Sequence, residues 1–180
     1  MPFGPTLNGK HVRLRAVEPE DAGAFQQLGR HAEIQRMFGS AHPVTGTISQ
    51  SGANAWVATL GGDGCIEWVV EAESRFLGTA RLHSLRGASA RYAIGFFDPA
   101  QLGRGYGTEV TGLVMDYAFR ELHLDQLTLA VLAFNERAIR CYRRCGFREI
   151  GRMQEAAVID GEAFDDILMA VTADEYRERS

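Results

Sequence analysis

Apolar and polar positions alternate with period two over residues 11–17, where Val12, Leu14 and Ala16 interleave with His11, Arg13 and Arg15, and this predicts a half-buried strand. Glu18-Pro19 ends it. Pro19 suits the first turn of a helix in which Asp21 faces the positive end of the dipole, and Ala24, Phe25 and Leu28 give that helix an apolar stripe up to Gly29. A second, short helix follows over residues 32–38. Residues 39–52 mix Ser, Thr, Gly, His and Pro with few large apolar side chains and read as a loop, followed by a helix over residues 53–60 and the turn Gly61-Gly62-Asp63-Gly64. Ile66, Trp68 and Val70 then alternate with Glu67 and Glu71. With the β-rich runs 76–85 and 91–97, separated by the Gly87 turn, they predict an antiparallel meander of three strands.

The period changes after residue 107. Val110, Leu113, Val114, Tyr117 and Ala118 recur at helical spacing, which predicts a helix over residues 108–122 before a strand over 127–134. A helix over 136–145 stops at Gly146, and two strands, 147–159 and 162–171, flank the hairpin dipeptide Asp160-Gly161. Thr172 with Glu175 three residues on forms a capping box for a last short helix. The layout reduces to β-α-α-β-β-β-α-β-α-β-β, an α+β fold with a mixed, mostly antiparallel central sheet and flanking helices. Its one strand-helix-strand step, from 91–97 to 127–134, is expected to be parallel and right-handed. No linker or repeat divides the chain, so residues 1–180 are expected to form a single domain.

Composition narrows the class. With 180 residues, 46% apolar and 23% charged, the chain is expected to bury roughly 70% of its unfolded surface, which excludes disordered, collagenous and disulfide-scaffold readings. It holds no apolar run long enough for a membrane span, and its start lacks the layout of a signal peptide, so the expected location is the cytoplasm, away from the membrane. Cys65, Cys141 and Cys145 are odd in number and read as reduced thiols, with no metal site. A net charge of −4 offers nothing to nucleic acid. Six arginines (Arg137, Arg140, Arg143, Arg144, Arg148 and Arg152) nevertheless crowd into residues 137–152, a local charge suited to an anionic ligand or to a solvated helix face.

The sharpest chemical signal is Leu102-Gly103-Arg104-Gly105-Tyr106-Gly107-Thr108, a glycine-rich turn between a strand and a helix. Bare backbone lets N–H groups approach a ligand and the helix N-terminus adds partial positive charge, so a phosphate or pyrophosphate is its natural occupant. The glycines run G-x-G-x-G rather than G-x-G-x-x-G, and Lys10 is the only lysine, so neither the dinucleotide fingerprint nor the nucleotide-triphosphate loop fits. Downstream, Asn135 is placed as a helix N-cap, and Tyr142 follows Ala138 by four residues, which lays its phenol over a small side chain that leaves room for a ligand. Cys141 and Cys145, one helical turn apart, cannot form a relaxed disulfide and have no further ligand type beside them in sequence.

The pair of motifs, G-x-G-x-G-T-E at Gly103 to Glu109 and N-x-x-A-x-x-x-Y-x-x-x-G-F at Asn135 to Phe147, resembles the acetyl-CoA site of the GNAT superfamily of N-acetyltransferases. The opening through Arg15 and the ending from Gly151 to Met169 look like its RimJ/RimL branch. The resemblance implies that the strand 91–98 splays from 127–134 to leave a cleft, that the backbone of Leu102 to Thr108 cradles the pyrophosphate of acetyl-CoA, and that Phe96, Phe97 and Asp98 pair with the pantetheine arm while Asn135 touches it from the other side. Ala138 would leave the ligand room, and Arg140, Arg143 or Arg144 would face the 3′-phosphate. It implies direct transfer to a primary amine, either a protein N-terminus or a small molecule, with a backbone N–H near Phe97 holding the oxyanion and Tyr142 protonating the leaving sulfur. Arg91 stands where relatives often carry an acidic residue, so the proton acceptor falls to Glu67, Glu71 or His83, of which His83 titrates in the right range. A homodimer is plausible for such folds. The rival reading is a non-catalytic acyl-CoA-binding domain of the same fold.

Overall fold

The structure, a computed structural model, describes residues 3–179. One eight-stranded sheet runs in the order β1-β2-β3-β4-β5-β6-β8-β7. Its strands are β1 (Leu7–Asn8), β2 (Val12–Arg15), β3 (Ile66–Ala72), β4 (Arg75–Arg86), β5 (Ser89–Phe96), β6 (Gln126–Leu132), β7 (Arg148–Ile159) and β8 (Glu162–Thr172). The meander β3-β4-β5 is antiparallel and the β5–β6 step is parallel, as the chain pattern predicts. β1 adds a two-residue strand beside β2, too short to leave a period in the sequence.

Six helices flank the sheet: α1 (Asp21–Leu28), α2 (Ala32–Met37), α3 (Gln50–Thr59), α4 (Tyr106–Asp116), α5 (Glu136–Cys145) and α6 (Ala173–Arg177). Three of them lie between β2 and β3, one more than the reduced layout counts. α3 starts ahead of its predicted first residue because Ser49 caps it, its Oγ accepting from the Gly52 N–H at 3.1 Å, so a stretch of loop-like composition is the first turn of a helix. Asp21 does not serve the α1 dipole alone. Its buried carboxylate takes two hydrogen bonds from the Arg15 guanidinium, at 2.7 and 2.9 Å, and one from the Glu18 N–H, and Arg15 also reaches Glu71 at 2.8 Å. The capping box forms as predicted, with Thr172 and Glu175 bonded in both directions.

α4 begins inside the glycine turn, two residues before its predicted start, and its last turn widens into a π segment, Tyr117–Glu121. Its buried stripe, Val110, Val114 and Ala118, packs on the sheet with Leu127, Leu129 and Met169, so a continuous apolar core fixes the height of the α4 N-terminus against β5 and β6.

Candidate active site

β5 and β6 pair only at Ser89↔Gln126, Ala90↔Leu127 and Arg91↔Thr128. Beyond that point both strands continue without each other, while β6 keeps its ladder to β8 as far as Leu132. The sheet therefore forks. The fork opens into a cavity of about 890 Å³ whose wall includes Phe96, Phe97, Gly103, Gly105, Thr108 and Tyr142.

The open edge of β5 can be read from its hydrogen bonding. The Phe97 N–H donates to the Leu77 carbonyl at 2.9 Å, and on the other side the Ala88 carbonyl accepts from Asp125 and Gln126 at the start of β6. Because main-chain groups alternate in direction along a strand, odd-numbered residues of β5 bond β4 and even-numbered ones face β6. Past the fork, the N–H groups of Ile94 and Phe96 thus point into the cleft. This corrects the expectation at Phe97, whose own amide is engaged by β4. Asp98 does not continue the edge either: its Oδ1 accepts from the Ala100 N–H at 2.9 Å, capping the short helix Pro99–Gln101, and it lies outside the cavity wall.

The glycine turn is built as a cradle. Gly103 and Gly105 take φ of 77° and 88°, a left-handed backbone that a side chain would strain. Gly105 caps α4 without any side-chain acceptor, and the N–H groups of residues 103–107 find no acceptor among the described residues. A run of unclaimed amides at the positive end of an eleven-residue helix fits a pyrophosphate. Arg104 and Tyr106 contribute main chain only: the Arg104 side chain turns away to Gln101 and Glu73, and the Tyr106 ring is buried in the core. The expected cradle is shorter at both ends, since the Leu102 N–H donates to the Pro99 carbonyl and the Thr108 N–H to the Gly105 carbonyl, each at 3.1 Å. At Gly107 a Cβ would meet the Cys141 Sγ at 3.4 Å, an ordinary contact.

α5 supplies the other wall. The Asn135 side chain caps it, Oδ1 accepting from the Ala138 N–H at 3.2 Å, and both residues line the cavity. Of the arginines offered for a phosphate, Arg140 and Arg144 both line the cavity, but Arg140 is paired with Glu136, as Arg143 is with Glu149, whereas Arg144 makes no ion pair among the described residues. Tyr142 is 7% exposed. Among the described residues its Oη makes no hydrogen bond, and none of their buried side-chain oxygens or nitrogens is left unsatisfied, so Oη opens onto the cavity. Burial, with Cys141 and Cys145 close by, raises the phenol well above its ordinary pKa.

The three candidate bases separate cleanly. Glu71 is occupied by Arg15 and Arg13. His83 lies opposite Arg91, bonded to the Ser84 Oγ, and is not part of the cavity wall; burial and the charges of Arg81 and Arg91 hold its imidazole below the usual range. Glu67 does line the cavity. Asp166, which the sequence pattern did not single out, lines it too, and burial pushes its carboxyl up against the pull of Arg91. No group of three or more potential metal ligands occurs among the described residues, and no helix among them is long and apolar enough to cross a membrane.

Comparison with known proteins agrees with this geometry. Residues 11–148 match the family described as Acetyltransferase (GNAT) domain. The chain is 29% identical over 169 residues to spermidine N(1)-acetyltransferase of Escherichia coli K12, covering 92% of this chain and 88% of that protein. It is 26% identical to an SPbeta prophage-derived N-acetyltransferase of Bacillus subtilis, with 93% of each chain covered. Spermidine N-acetyltransferase from Vibrio cholerae, solved in complex with CoA and spermine, has the same fold: TM-score 0.76 at 23% identity, over 93% of this chain and 98% of that one.

Proposed function

We propose that this chain, which belongs to the GNAT acetyltransferase family and is an acetyl-CoA-dependent N-acetyltransferase, passes the acetyl group directly to a primary amine in a ternary complex within the forked sheet. Acetyl-CoA supplies an activated thioester. The chain supplies the rest. Amides 103–107 and Arg144 bind anionic groups, and the open edge of β5 offers main-chain donors and acceptors to an extended arm, in the manner of an added strand. The N–H groups of Ile94 and Phe96 are the donors positioned for charge developing on a carbonyl oxygen. Tyr142 brings a proton on Oη, and its raised pKa keeps it protonated at any working pH. Glu67 takes over the part sketched for His83, since it is the candidate that lines the cavity.

The observation that carries this reading is Tyr142: a nearly buried phenol, free of hydrogen bonds within the described residues, facing the fork beside an uncapped helix N-terminus. Relatives named for spermidine leave the acceptor here at the level of a primary amine. The RimJ/RimL-like opening and ending place the chain on that branch in this reading, and its three free thiols suit the reducing cytoplasm. The test is release of free thiol from acetyl-CoA in the presence of amines. Tyr142→Phe is expected to lower kcat about 10²- to 10⁴-fold with CoA affinity unchanged. Full turnover in that variant removes Tyr142 from the chemistry.

A further inference from the structure

Past the fork the cavity continues beneath the loop that follows α2, and this loop is a strap. The Phe38 ring lies across β5 so closely that a Cβ on Gly95 would sit 2.7 Å from it. Gly39 follows with the Ala157 Cβ 3.5 Å and a Leu132 methyl 3.8 Å from its own notional Cβ, so the chain crosses from β5 over β6 to β7. The Ala41 carbonyl then accepts from the Asp160 N–H at 2.8 Å, fastening the loop to the β7–β8 turn. Both ends are held. The loop thus spans the sheet from β5 to β7 along one side of the cavity.

The walls beneath the strap are apolar and aromatic. Trp56 and Phe97 lie edge-on to each other at 5.5 Å, Phe38 is edge-on to Phe97 at 5.9 Å, and Met37 and Ile34 complete the lining. Phe38 remains 51% exposed, a large apolar surface that the chain's own packing does not cover.

Charge in the same space is lopsided: Arg81, Arg137, Arg140 and Arg144 line it against the two carboxylates Glu67 and Asp166. Glu67 is only 4% exposed, yet it lines the cavity. One oxygen, Oε2, accepts from the Gly61 N–H at 2.9 Å, and among the described residues the carboxylate has no ion pair. Its free oxygen offers an ammonium group a counter-charge on the cavity wall. Arg81 stands opposite Glu67 in the β3–β4 register and lines the same cavity, as does Arg137, so a second or third ammonium group would meet like charge. Asp166, the other carboxylate on the cavity wall, lies in the field of Arg91.

Building on the N-acetyltransferase reading above, we infer that the acceptor is a small primary amine with one ammonium group on an aromatic or branched apolar skeleton, the ammonium on Glu67 and the skeleton against Phe38 and Trp56 beneath the strap. Polyamines and protein N-termini are then poor acceptors.

Thiol release from acetyl-CoA is measured with 2-phenylethylamine, tryptamine, spermidine and a tetrapeptide with a free N-terminus. The aryl amines are expected to give kcat/KM at least ~10-fold above spermidine and the peptide, within the reach of apolar pocket discrimination. Phe38→Ala, at an exposed position that leaves folding intact, is expected to raise KM for 2-phenylethylamine about 10-fold with KM for acetyl-CoA unchanged. Glu67→Gln keeps the bond from Gly61 and is expected both to raise KM for the amine and, because Glu67 is the proton acceptor, to lower kcat. Equal or better turnover of spermidine or the peptide overturns the inference while leaving an N-acetyltransferase. CoA binding without thiol release for any amine overturns both.

Discussion

Tyr142 and His83 illustrate what decides a residue's role once its type is given. Both titrate, and the sequence placed both in the chemistry. Tyr142 sits on the helix whose N-terminus borders the fork, and its hydroxyl faces the cavity. His83 shares a strand with cavity-lining Thr79 and Arg81 but stands two residues past Arg81, opposite Arg91. His83→Ala is therefore expected to leave the pH profile of kcat/KM unchanged; loss of an acidic limb in that variant would restore the histidine as base. Cys141 offers a second check. It lines the cavity, and a hydrogen bond from Cys145 lowers its pKa against the opposing effect of burial, with Thr108 and Arg144 adding to the lowering. Its alkylation by iodoacetamide is expected to persist at pH values where an ordinary thiol has slowed, and to be suppressed by saturating CoA. Unprotected alkylation would separate Cys141 from the bound ligand. Spacing made Tyr142, Asn135 and Arg144 legible because all three belong to one helix and its cap. Glu67 was legible only as one of three options, although a carboxylate in a strand buried along nearly its whole length was a signal that could have ranked it first.

At the level of elements, the glycine turn carries two demands at once, a left-handed backbone and unclaimed amides. Gly105→Ala keeps the composition nearly unchanged but places a Cβ at φ 88°, which costs about 1–2 kcal/mol. The variant is expected to lose both thermal stability and CoA affinity, whereas Gly62→Ala, where φ is ordinary and a Cβ meets nothing, is expected to change neither. α4 is also tied down from outside. Glu109 in its first turn accepts from the main-chain N–H of His11 at 2.7 Å and lies 3.1 Å from the His11 ring. Burial opposes ionisation of this carboxyl, but the bonds from His11 and Val12 outweigh it and hold its pKa below the ordinary value. A depressed carboxylate pKa stabilises the fold above the unfolded value and ceases to do so as pH falls through the folded one. The stability gap between wild type and Glu109→Gln is thus expected to be full near pH 7 and to shrink below about pH 4.5, the gap being read from denaturant midpoints. A gap independent of pH would assign the role of Glu109 to packing. Here the sequence was read well wherever a period ran for several turns, as in α4, α5 and β8. It was read less well at β1, which has no period, and at the start of α3, where one serine cap outweighs a loop-like composition.

On the scale of the whole molecule, function follows from a sheet that pairs for three residues and then divides. The parallel β5–β6 step was expected from the strand-helix-strand pattern, and the separation of those strands from motif resemblance. The strap across the far end was not, because it is held by a main-chain hydrogen bond between residues 41 and 160, a long-range pairing with no local imprint. The central claim is that bare main chain, at the turn and along the open edge of β5, grips an extended phosphate-bearing thioester. Hydrogen–deuterium exchange of the full chain with and without CoA reads those amides individually. The account predicts slowed exchange concentrated at residues 103–107 and at Ile94 and Phe96, amides that find no acceptor among the described residues or face the fork. Protection absent there, or confined to other segments, would contradict it.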